Sequence, residues 1–147
     1  MFYKRFIDFF PEIAEKETRR ITIRNDPLIP EGEYAFVDSY CEDKKCDCRR
    51  VYFDVIQINP NYELIHAARI SYGWEDLDFY LSWSPYLPSD MAAEMKGPIL
   101  ERSQVQSPYA ERFLYLFESI LLKDPAYIKR IKRHYAMFKA KLNGKAI

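Results

Sequence analysis

The chain is expected to fold as an α+β domain, an antiparallel meander of about four strands followed by helices packed on one face. Three observations predict this. β-branched and aromatic runs punctuated by turn residues fill the chain up to Gly73. Beyond Gly73 the hydrophobic period lengthens from two toward 3.6. Two strong helix starts, Ser107-Pro108 and Asp124-Pro125, then fall in the second half. At 147 residues with no internal repeat or linker, residues 1–147 are expected to form one domain around one core, without disulfide staples.

Phe2 to Phe10 reads as a short aromatic helix, and "ETRRITIR" alternates basic and apolar residues as an edge strand does. "GEYAFVDSYC" and "RRVYFDVIQIN" form two antiparallel strands on either side of the loop Glu42 to Asp47. "NPNY" is a turn by composition, so "ELIHAARISYG" returns beside the preceding strand. "WEDLDFYLSW" opens the helical half and Pro85 ends it. Ser89 is placed to cap "DMAAEMK", which Gly97 and Pro98 stop. "GPILERSQVQS" lacks a clean period and reads as a wrapping loop. "YAERFLYLFESILL" and a last helix from Pro125 complete the chain.

Basic and acidic residues balance at 22 each, but they are segregated: from Lys123 onward eight Lys/Arg face one Asp. An aromatic share of 16% excludes a disordered chain, because such side chains need burial. In "MFYKRFIDFF", Lys4 and Arg5 precede only a short apolar run broken by Asp8 and Pro11, the pattern of neither a signal peptide nor a membrane span. With an odd cysteine count, a reducing cytoplasm is the expected compartment.

The most specific stretch is "YCEDKKCDCRRV", which holds all three cysteines, Cys41, Cys46 and Cys48. Soft thiolates spaced C-x4-C-x-C at a hairpin tip have the composition of a metal site, zinc first. A tetrahedral structural zinc takes four protein ligands, so a fourth donor or an open position is implied. Strand register places His66 roughly 23 Å from the tip at about 3.3 Å per residue, which makes it a core histidine sharing a face with Leu64, Ala68 and Ile70. His134, at the border of the apolar stripe Ile128, Ile131, Tyr135, Phe138 and Leu142, is the first candidate for the fourth ligand, the alternative being a helix-surface or hydrogen-bonding histidine. Glu75 and Asp76 follow, then Asp43 and Asp47. Three other readings of the cysteines stay open: buried structural thiols, a Cys41–Cys46 disulfide, and a redox-sensing thiol favoured by Lys44, Lys45, Arg49 and Arg50.

Lys129, Arg130, Lys132 and Arg133 lie off the stripe of the last helix, a basic arc that suits RNA or an acidic protein, or simply a solvated helix face. Gly-rich phosphate loops, nucleophile elbows and H-E-x-x-H helices are missing from the sequence.

The runs "EGEYAFVDSYCEDKKCDCRRVYFDVI", "ISYGWEDLDFY", "QSPYAERFLYLF" and "DPAYIKRIKRHYAMFK" resemble uncharacterised bacterial proteins in which a similar region precedes a C-terminal SEC-C zinc motif. The similarity spans most of the chain, and its most specific element is the C-x4-C-D-C-R-R core. It implies that the cysteines are a family feature; no further cysteine follows Cys48 here. The functional expectation is a zinc-binding cytoplasmic domain of binding or scaffolding type with a protein partner. The alternative is a metal- or thiol-dependent enzyme centred on the cluster, and RNA association through the basic helix is a third reading.

Overall fold

The computed structural model describes residues 2–61, 63–83, 85–104 and 106–144. It is an α+β fold built on one antiparallel sheet of six strands. Strand β1 spans Tyr3–Arg5, β2 Arg19–Ile23, β3 Gly32–Cys41, β4 Arg50–Ile58, β5 Leu64–Gly73 and β6 Ile99–Leu100. The meander β3-β4-β5 is the centre, β1 and β2 share one edge of β3, and β6 extends the other side beyond β5. Tyr62, in the expected turn, and Val105, in the expected loop, lie outside the described residues.

The N-terminus departs from the single helix expected of it. Tyr3–Arg5 pairs antiparallel with β3, Tyr3 opposite Cys41, before the short helix α1 (Phe6–Phe9). Pro11 then starts α2 (Pro11–Glu17) at a position where its missing N–H costs nothing. "ETRRITIR" does become the edge strand β2, paired along Arg19–Ile23.

A bulge between Val55 and Ile56 shifts the register of β4 against β5, so that Ala68 faces Val55 but His66 faces Ile56. Strand side chains alternate, and one extra residue turns everything beyond it to the other face. Ala68 and Ile70 therefore stay in the core, whereas Leu64 and His66 emerge on the open side. This overturns the core placement of His66, which instead bonds Asp54 at 3.1 Å. The bulged residue Ala67 gives its carbonyl to the Ser107 hydroxyl. That bond, together with two between Gln106 and the Arg69 backbone, lays the 101–107 segment along β5. Ser107 also leads into the next helix: its hydroxyl oxygen accepts from Tyr109 N and its carbonyl from Ala110 N, and α5 (Ala110–Leu116) begins three residues later.

α5, a π-helical turn over Phe117–Leu121, and α6 (Pro125–Leu142) cover one face of the sheet. Phe113, Phe117 and Leu121 meet Tyr34, Phe36 and Phe53 in the core. α6 starts as expected: the Asp124 carboxylate accepts from Ala126 N and Pro125 occupies the first turn. α3 is shorter than expected, Leu77–Leu81, because Asp76 caps it by accepting from Phe79 N at 2.9 Å. α4 (Ser89–Lys96) begins after Pro88 with no side-chain cap, contrary to the role expected of Ser89. Met95 of α4 accepts through its carbonyl from Arg50, which binds α4 to β4. No helix among the described residues is long and apolar enough to cross a membrane.

Ile131 is 2% exposed while Lys132, the next residue, faces solvent. Ile131→Ala is expected to lower the unfolding free energy by roughly 2–5 kcal/mol, and Lys132→Ala to change it by less than about 0.5 kcal/mol. Urea titrations of the two variants check this orientation of α6.

Candidate metal centre

β3 ends at Cys41 and β4 begins at Arg50, so the connection between them carries Cys46 and Cys48. Its shape is set locally by a turn in which Cys46 N donates to Asp43 O and the Asp43 carboxylate accepts from Lys45 N. Arg49 closes the connection with φ 52, a left-handed conformation that a non-glycine residue adopts only when its surroundings hold it. Those surroundings are explicit. The Arg49 carbonyl accepts from the Tyr80 hydroxyl and from Trp74 N, and Arg49 N donates to the Tyr135 hydroxyl. Gly73 has no side chain because a Cβ there would run into the Tyr80 hydroxyl.

α6 holds the other side of the loop. The Lys139 ammonium donates to the carbonyls of Cys41 and Asp43, both at 2.9 Å, and the Tyr135 hydroxyl donates to Asp47 at 2.7 Å. Fastened in this way, the three Sγ atoms lie within 4.8 Å of one another. A tetrahedral zinc with bonds of about 2.3 Å sets its sulfurs roughly 3.8 Å apart, so closure around an ion needs a contraction of about 1 Å at most. All three thiols are free, which removes the disulfide reading for this state. Cys41 and Cys48 are buried and Cys46 is partly exposed.

Burial, and then the facing sulfurs of Cys48 and Cys41, push the Cys46 thiol up to about 12. Without a cation this sulfur keeps its proton at neutral pH; a bound divalent ion reverses the balance by replacing the protons. Two polar groups outside the cluster face it. Asp43 N lies 3.4 Å from Cys41 Sγ, and the Tyr3 hydroxyl lies 3.8 Å from Cys48 Sγ. Cysteines so arranged could hold a metal ion.

His134, the expected fourth ligand, is placed elsewhere. It is 2% exposed, stacked on Phe6 at 3.8 Å between ring centroids, with Nδ1 2.7 Å from Asp38 and Nε2 2.8 Å from Glu17. Both nitrogens face carboxylate oxygens, so neither lone pair is offered to a metal. The acidic candidates are engaged as well. Asp47 binds Arg49 and Tyr135, Glu75 lies 3.6 Å from Arg49, Asp76 caps α3 and Asp43 caps its own turn. Among the described residues the mutually close ligand group contains the three cysteines alone. Sequence reasoning missed Tyr3 and Lys139. Tyr3 becomes visible only when residues 3–5 are read as a strand opposite Cys41, and nothing local marks Lys139.

No protein-family model, curated protein or solved structure matches the chain.

His134 and Asp38 form a buried pair, so His134→Ala is expected to cost roughly 3–5 kcal/mol in urea unfolding by leaving the Asp38 carboxylate to the Tyr40 hydroxyl without the imidazole. The metal content of the folded variant should not change. A pH dependence also follows from Glu17. Partial burial pushes its carboxyl up, but hydrogen bonds from His134 and Arg133 outweigh this and hold it below the ordinary value of 4.5. A carboxyl depressed on folding adds stability that is complete above its unfolded value and disappears as pH falls through the folded one. Unfolding free energy should therefore decline below about pH 4.5, and decline less steeply in Glu17→Gln. Urea midpoints across that range measure both slopes.

Proposed function

We propose that the protein is a zinc-binding domain of binding or scaffolding type, in which Cys41, Cys46 and Cys48 hold the ion and the ion braces the β3–β4 connection. The observation that carries this reading is the convergence of three free thiols on a loop that α6, β5 and α3 already hold in place. Zinc is the favoured ion because clustered thiolates select soft or borderline cations, and free thiols suit a reducing cytoplasm. The sequence resemblance to proteins bearing a C-D-C-R-R core supports the same assignment. A metal here would link the end of β3 to the start of β4 beside Tyr3 of β1, stabilising a surface offered to a protein partner.

One observation favours a second reading, a metal-dependent enzyme. Three thiol donors are one fewer than a closed structural site uses, which leaves a position for water or substrate. Association with RNA has less support, since two of the four cations of the basic arc, Arg130 and Arg133, are already bonded to Glu17.

Protein purified without chelator is expected to carry about one zinc per chain, and Cys48→Ser to lose it. X-ray absorption then counts the ligands: three sulfurs with a protein-derived fourth donor support the scaffold, and three sulfurs with an exchangeable oxygen support the enzyme. Metal-free protein whose thiols all titrate freely would overturn both.

A further inference from the structure

The three sulfurs of the cluster are not equivalent. Cys41 is fully buried, and its sulfur faces the backbone N–H of Asp43 at 3.4 Å. Cys48 is 1% exposed and faces the Tyr3 hydroxyl at 3.8 Å. That hydroxyl is well fixed. Tyr3 pairs across from Cys41 in the sheet, Phe2 O accepts from Glu42 N one step further along, and the Tyr3 ring rests edge-on against Tyr52 at 4.3 Å. Cys46 is partly exposed, and among the described residues its sulfur faces the other two thiols with no backbone N–H or hydroxyl of the protein donating to it. Its chain neighbours Lys44 and Lys45 are exposed.

Metal binding sharpens this difference. When the ion replaces the thiol protons, the S–H donors inside the cluster vanish, whereas the Asp43 N–H and the Tyr3 O–H remain. A hydrogen bond to a thiolate withdraws charge from the sulfur and lowers its nucleophilicity, and outer-shell partners of this kind tune metal sites. We propose that Cys46 is the reactive sulfur of the metal-loaded cluster, the thiolate that accepts an alkyl group from a soft carbon electrophile and thereby releases the metal. This inference rests on the metal-binding reading. In the step, a sulfur lone pair of Cys46 attacks the electrophilic carbon, the S–C bond forms, and the leaving group departs with the electron pair of the bond that breaks. The product is a neutral thioether. It is a poor ligand for zinc, so only two thiolates remain to hold the ion.

The test treats zinc-loaded full-length protein with substoichiometric iodoacetamide, maps the adduct by peptide mass spectrometry and follows zinc with a chromophoric chelator. Cys46 is expected to carry the carbamidomethyl group over Cys41 and Cys48 by roughly tenfold or more, the size of one hydrogen bond to a charged group, with zinc released in step with the adduct. Tyr3→Phe, which removes only the hydroxyl, is expected to raise the share at Cys48 by a similar factor. Even labelling of the three cysteines in zinc-loaded protein, or a Cys48 share unmoved by Tyr3→Phe, would overturn this inference and leave the metal-binding reading standing. Protein that holds no zinc before treatment would overturn that reading and this one with it.

Discussion

A carboxylate in the middle of a buried strand has to be neutralised, and the way Asp38 is neutralised organises this protein. Asp38 is 5% exposed, on the helix-covered face of β3. One of its oxygens accepts from the Tyr40 hydroxyl and faces His134 Nδ1, both at 2.7 Å. The imidazole passes the demand outward to Glu17 at the end of α2, and Arg133 and Arg130 of α6 meet Glu17 in turn through its carboxylate and its carbonyl. Phe6 stacks flat on the imidazole and closes it off. Four elements, α1, α2, β3 and α6, are thereby held in one arrangement by directional bonds whose loss would leave a charge in the core.

That arrangement places the cysteine cluster. With His134 anchored over Asp38, Tyr135 and Lys139 lie further along the same helix and reach the cysteine loop through its Asp47 carboxylate and its carbonyls. The loop then holds its own left-handed residue, Arg49, against Tyr80, Trp74 and Tyr135. Local turn chemistry brings the cysteines near one another; α6 decides where they stay. The buried ion network and the thiol cluster are separate in chemistry but mechanically continuous through one helix.

The basic arc of α6 has a part in both. Lys129 and Lys132 face solvent, while Arg130 and Arg133 tie α6 to α2. A charge run that looks like a ligand-binding face is in half of its members an internal fastening, because a long guanidinium stem lets a residue beside the apolar stripe reach a neighbouring element.

The α+β class, the β3-β4-β5 meander, the edge strand β2, the start of α6 at Asp124-Pro125 and the clustering of three cysteines were determined by the sequence itself, since each rests on near-neighbour periodicity, turn residues or spacing. Which residues join the cysteine cluster was not. Whether His134 faces a thiol or a carboxylate depends on Asp38 and Glu17, which lie 96 and 117 residues away in the chain. Whether His66 is inside or outside depends on one bulge, and no local pattern marks a bulge before the strands are paired. Tyr3 reaches Cys48 only because residues 3–5 find an open edge of β3. Tertiary structure decided these points because a side chain's partner is set by which surfaces the core brings together, and local propensity carries no information about surfaces distant in sequence.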